Sequence, residues 1–165
     1  MDARRTAAVP ELQQGPARFL RRLQDAGFLL IIVTNQSGIG RGYYTEADMH
    51  RVNERLVAEL APAGVRFERI YFSPEAPEQP SRGRKPSPAF LFEARDEFGV
   101  DLSQSYMVGD KSLDVECGRN AGVKASILVR TGHGRDTEHL HKGQLTSAII
   151  VDALPAAAEW ILAPG

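Results

Sequence analysis

Five short apolar runs, at 28–33, 69–72, 106–108, 126–129 and 148–151, punctuate this chain, and amphipathic stretches separate them. A short apolar run bounded by Gly, Pro or polar residues reads as a buried strand, whereas apolar residues returning every three or four positions read as a helix with one buried face. Gly15-Pro16 opens a helical stretch that puts Phe19, Leu20 and Leu23 on one side and closes at Gly27. Thr45-Glu46-Ala47-Asp48 sets a capping hydroxyl ahead of an acidic first turn, predicting a helix to about Leu60 through Met49, Val52, Leu56 and Val57. Further helices are predicted over 88–98 and 112–121, the latter closed by Gly122, and at the carboxyl end around Trp160. Segments 34–44 and 73–87 read as loops, the second because it is crowded with Pro and Gly. Strands alternating with helices predict the α/β class, a Rossmann-like three-layer sandwich around a mostly parallel sheet. With 165 residues, no internal repeat and no linker, the chain reads as a single domain. The first 28 residues hold no apolar strand.

Composition narrows the classes of partner. The formal charge is -1, from 20 Lys and Arg against 21 Asp and Glu, and both signs are interspersed, so no nucleic-acid partner is expected. The longest apolar run, 28–33, is too short for a bilayer, and the amino end is polar, so no membrane partner and a cytoplasmic location are expected. The single cysteine, Cys117, excludes an internal disulfide and a thiolate metal site, and reads as a small core residue.

In open α/β sheets ligands collect beyond the carboxyl ends of strands. After the first run come Thr34, Asn35, Gln36 and Ser37, then Gly38-Ile39-Gly40-Arg41-Gly42, which suits either an anion or an ordinary polar turn. Arg82-Gly83-Arg84-Lys85-Pro86 sets three cations ahead of a helix, as a phosphate would require and as a solvated basic loop also provides. Val108-Gly109-Asp110 places a carboxylate directly beyond a buried strand, with Asp114 one turn on; such oxygen donors suit Mg²⁺, and capping of the helix by Asp110 is the competing reading. The run 128–134 ends in another Gly-rich exit followed by His133, His139 and His141, a cluster without acidic or thiol partners at fixed spacing and more typical of a surface.

These segments in this order, 33–39, 84–86, 106–111 with Asp114, and 128–132, resemble the haloacid dehalogenase superfamily. Within it they resemble the branch of D-glycero-D-manno-heptose 1,7-bisphosphate and histidinol-phosphate phosphatases. The resemblance implies a fold of that type without a sizeable cap domain, and Mg²⁺-dependent hydrolysis of a sugar (bis)phosphate. It implies that Thr34 and Asn35 bind the transferring phosphoryl group and that Lys85 stabilises its charge. Gln36, Ser37, Arg84 and Lys111 would serve the substrate, Asp110 would be a Mg²⁺ ligand, and Asp114 would orient the metal's surroundings.

Two departures qualify it. The family's first motif, a strand ending in Asp-x-Asp-Gly-Thr that supplies nucleophile and general acid/base, is absent. Met1-Asp2-Ala3-Arg4-Arg5-Thr6 mimics its outline, but Arg4 stands in the acid/base position. Several members also carry a Cys/His zinc hairpin where 73–84 has neither residue, so structural zinc is not expected. The favoured expectation is an amino-truncated phosphatase; the alternative is a phosphate-binding or interaction protein that has lost catalysis. The family is monomeric by expectation, and a missing first strand would leave an edge open to self-association.

Overall fold

The computed structural model describes residues 5–8 and 17–165. Its centre is a six-stranded sheet in the order β3-β2-β1-β4-β5-β6, parallel throughout. The strands are β1 (Arg5–Ala8), β2 (Phe28–Asn35), β3 (Phe67–Ser73), β4 (Tyr106–Gly109), β5 (Ala125–Val129) and β6 (Ile149–Val151). The helices are α1 (Ala17–Asp25), α2 (Ser37–Gly40), α3 (Glu46–Leu60), α4 (Ala89–Phe98), α5 (Ser112–Ala121), α6 (Gly134–Leu140) and α7 (Leu154–Leu162). The order reverses between β1 and β4, so the crevice for a ligand lies beyond the carboxyl ends of β1, β2 and β4.

The expectation of a missing first strand, with an open edge for self-association, is overturned by β1. It pairs with β2 from Arg5↔Phe28 to Ala8↔Ile31, and with β4 at Ala7↔Tyr106 and Ala8↔Met107. Hydropathy could not announce it, because Arg-Thr-Ala-Ala carries almost no apolar bulk. Its reason for being a strand is the backbone: β2 and β4 each present a ladder of N–H and C=O groups, and a strand between them satisfies both.

Alternation along the strands builds two cores. On one face Phe28 and Leu30 of β2, Tyr106 and Val108 of β4, and Ile127 and Val129 of β5 meet Phe19, Leu20 and Leu23 of α1 and Ala157, Ala158 and Ile161 of α7. On the other, Ile31, Val33 and Met107 meet Phe90, Leu91 and Ala94 of α4 and Cys117 and Ala121 of α5. Strands covered on both sides are why their runs are apolar without alternation. Cys117 is fully buried, as expected; its Sγ donates to the Ser87 carbonyl at 3.3 Å, and burial pushes its thiol up to about 12, leaving it unreactive.

The cap of α3 is as the sequence predicts, with Asp48 N donating to Thr45 Oγ1 at 3.1 Å and Thr45 N to Asp48 Oδ2 at 2.8 Å. Val52 and Val57 do not form its buried face: they are 68% and 40% exposed, and the helix buries only Met49 and Leu60. Helix α6 was not legible in the sequence, its seven residues being almost entirely polar. Among the described residues no helix is long and apolar enough to cross a membrane.

Candidate active site

Three segments converge at the carboxyl edge of the sheet: the end of β2, the loop 74–88 and the turn from β4 into α5. They enclose a cavity of about 390 Å³ whose lining includes Thr34, Asn35, Ser37, Arg84, Lys85, Asp110, Lys111 and Asp114. Of the residues expected at the site, only Gln36 lies outside this lining.

Lys85 is the buried cation of the cavity. Its Nζ donates to the Val33 carbonyl at 2.9 Å and to Asp114 Oδ1 at 2.6 Å, and the two side chains are 6% and 2% exposed. An ammonium has three donors, so one remains for an anion in the cavity. Asp114 is engaged at both oxygens, since its Oδ2 accepts from Lys111 N at 3.0 Å. In the structure it anchors Lys85 and caps α5.

Gly109 makes this arrangement possible, because a Cβ there would overlap the Asp114 carboxylate and Cβ. Asp114 is held at both oxygens and cannot swing clear. Gly109→Ala is therefore expected to cost about 1–3 kcal/mol as overpacking, read as a lower urea midpoint with an unchanged slope. An unchanged midpoint would mean that Asp114 is not fixed as described.

Asp110 does not cap α5. Its Oδ2 accepts from His133 N at 2.9 Å, while its backbone carbonyl accepts from Thr137 Oγ1 at 2.8 Å. The segment after β5 thus seats Asp110, and Gly132, at φ +59°, allows the close approach: a Cβ there would stand 2.5 Å from Asp110 Oδ2. Arg130 secures the segment by pairing with Glu138 at 2.7 Å and Asp152 at 2.8 Å. Sequence reasoning missed the supporting roles of His133 N and Thr137, the only signal being the Gly-rich exit itself. Among the described residues no group of three or more His, Cys, Asp and Glu is placed to hold a metal ion, and the three histidines form none.

The polar run after β2 divides its work. Asn35 is committed to the loop opposite, with Oδ1 accepting from Lys85 N at 3.0 Å and Nδ2 donating to the Lys85 carbonyl at 3.2 Å. Thr34 Oγ1 accepts from Gln36 Nε2 at 3.2 Å and keeps its own proton to donate.

The three cations at 82–85 do not converge. Arg82 pairs with Glu93 and lies over the Phe90 ring at 5.6 Å. Arg84 spends its guanidinium on backbone carbonyls, at 2.5 Å to Ala76, 2.9 Å to Pro77 and 3.1 Å to Gln79. Its terminal nitrogens build the cavity wall. Behind that wall Glu75 accepts from Ser73 Oγ at 2.7 Å and Ser81 Oγ at 2.8 Å, and these hydroxyls hold its carboxyl below the ordinary range.

Residues 83–157 match the model of the HAD-hydrolase-like family. The chain is 39% identical over 149 residues to the D-glycero-beta-D-manno-heptose-1,7-bisphosphate 7-phosphatase of Haemophilus ducreyi, covering 86% of this chain and 82% of that one. The chain belongs to the heptose-1,7-bisphosphate 7-phosphatase family. The Escherichia coli K12 relative of the same name is 40% identical over 129 residues, covering 74% of this chain and 68% of the relative. A solved D,D-heptose 1,7-bisphosphate phosphatase from B. bronchiseptica, complexed with magnesium and phosphate, superposes with a TM-score of 0.87 at 25% identity over 98% of both chains. Membership makes the chain a phosphoric monoester hydrolase by family, and the haloacid dehalogenase-like fold stands as expected.

Proposed function

We propose that the cavity binds a phosphorylated sugar and serves hydrolysis of its phosphomonoester, with D-glycero-D-manno-heptose 1,7-bisphosphate as substrate. The observation that carries this reading is the placement of Thr34, Lys85 and Asp110 on three chain segments around one cavity. Phosphoryl transfer asks the protein mainly for positioning and charge neutralisation. Thr34 offers a hydroxyl proton to a phosphoryl oxygen, the third N–H of Lys85 offers a charged donor to another, and Lys111 adds a cation at the mouth. Lys85 is neutralised in part by Asp114, so its worth lies in a fixed donor more than in net charge.

Asp110 fits Mg²⁺ as one carboxylate ligand, because only one of its oxygens is engaged by His133 N, and this cation completes its shell with water and phosphate. Bound there, the ion would neutralise charge on the phosphoryl oxygens. Structural zinc has no place in the reading, the loop 74–84 being tied instead by Glu75, Ser73, Ser81 and Arg84.

A second reading is favoured by a fact of sequence: no Asp-x-Asp triplet occurs in the 165 residues. An aspartyl-phosphate requires such a nucleophile, and without one the cavity would hold phosphate without turnover. Incubation with D-glycero-D-manno-heptose 1,7-bisphosphate and Mg²⁺, followed by parallel assays of binding and phosphate release, separates the readings. Release supports the first, binding without release the second, and absence of both overturns the assignment of the cavity.

A further inference from the structure

Gln36 was expected to touch substrate, yet both ends of its amide are engaged within the protein. Nε2 donates to Thr34 Oγ1 at 3.2 Å, and Oε1 accepts from the Tyr44 hydroxyl at 2.5 Å. Each end of this relay is fixed. The backbone N–H of Gln36 donates to the Ser73 carbonyl at 2.8 Å. Tyr44 lies against Gly38, where a Cβ would overlap its ring and stand 3.0 Å from its hydroxyl oxygen. Tyr43 N donates to the Gly38 carbonyl at 2.8 Å, closing the loop, and the Thr45 cap fixes the chain directly after Tyr44.

The sense of the relay decides what Thr34 offers the cavity. With Tyr44 donating and Gln36 Nε2 donating onward, Thr34 accepts and its proton is free for a phosphoryl oxygen. With the amide reversed, Gln36 Oε1 would take the Thr34 proton and the cavity would face only a lone pair, which repels phosphate. A phenol selects the first sense, because its oxygen lone pair is drawn into the ring, making the group a good donor and a poor acceptor. A hydroxyl on bare threonine has no such preference and rotates freely.

We propose that Tyr44, acting through Gln36, is a positioning residue that keeps the Thr34 hydroxyl proton directed at bound phosphate. This rests on the assignment of the cavity to phosphate, and its test separates the two. The dissociation constant for inorganic phosphate is measured with Mg²⁺ present by titration calorimetry for the wild type, Tyr44→Phe, Gln36→Leu, Thr34→Val and the pair Tyr44→Phe/Thr34→Val. Thr34→Val is expected to weaken binding about tenfold and Tyr44→Phe or Gln36→Leu about threefold, the size of one hydrogen bond lost or left unoriented. In the Thr34→Val background Tyr44→Phe is expected to change nothing, since the residue it acts through is gone. If Thr34→Val binds as the wild type does, or the wild type does not bind, the cavity assignment fails and this inference with it. If Thr34→Val weakens binding but Tyr44→Phe does not, or weakens it equally in both backgrounds, the relay alone is overturned. Tyr44→Phe removes one oxygen from a partly exposed ring, so the result does not depend on a variant that fails to fold.

Discussion

Lys85→Ala is expected to destabilise the chain by about 3–5 kcal/mol and to abolish measurable phosphate binding. The first effect comes from what is left behind: Asp114 is 2% exposed and its Oδ1 would lose its partner at 2.6 Å, leaving a buried carboxylate without its counter-charge. The second comes from loss of the fixed donor in the cavity. The two effects separate in Lys85→Ala/Asp114→Leu, which removes the orphaned charge as well. That variant is expected to recover part of the stability, since buried ion pairs contribute little net against an apolar replacement although the Lys111 N–H also loses its acceptor, while phosphate binding stays lost. Urea midpoints and phosphate titrations on the three proteins check this. A Lys85→Ala unfolding free energy within about 1 kcal/mol of wild type would fall in the range of an exposed pair and contradict the buried one.

Asp110→Asn is expected to leave the fold intact and remove the effect of Mg²⁺. Asparagine keeps the shape and an oxygen to accept from His133 N, so the loss of stability should stay at about 1 kcal/mol, that of one weakened hydrogen bond. What it loses is the negative charge a hard cation requires. Chelation should weaken phosphate binding to the wild type on the order of tenfold or more and leave Asp110→Asn unaffected, the scale on which disturbed metal sites lose affinity. A variant whose phosphate affinity still rises with Mg²⁺ would remove Asp110 from the metal assignment.

The sequence was legible where local pattern and function coincide. Asp110 could be found because a parallel strand buried on both faces ends abruptly there, and Thr34 for the same reason at the end of β2. Lys85 was found as a cation, but its burial and its pairing with Asp114, 29 residues away, depend on a fold that brings the loop 74–88 under β2. Arg84 and Asn35 were assigned to the substrate through the family resemblance; in the structure both line the cavity and also hold loop backbone, a task residue type cannot reveal. β1 was missed because its cause is the two ladders beside it, not its own residues. Val52 and Val57 carried the helical spacing of a buried face, yet α3 lies at the sheet margin and leaves them in solvent.

The most direct test is the equilibrium binding of D-glycero-D-manno-heptose 1,7-bisphosphate to this chain, titrated with and without Mg²⁺. Saturable binding at one site, strengthened by Mg²⁺ and lost in Lys85→Ala/Asp114→Leu, is the expected result. No binding in either condition, or binding that survives that double substitution, would contradict it.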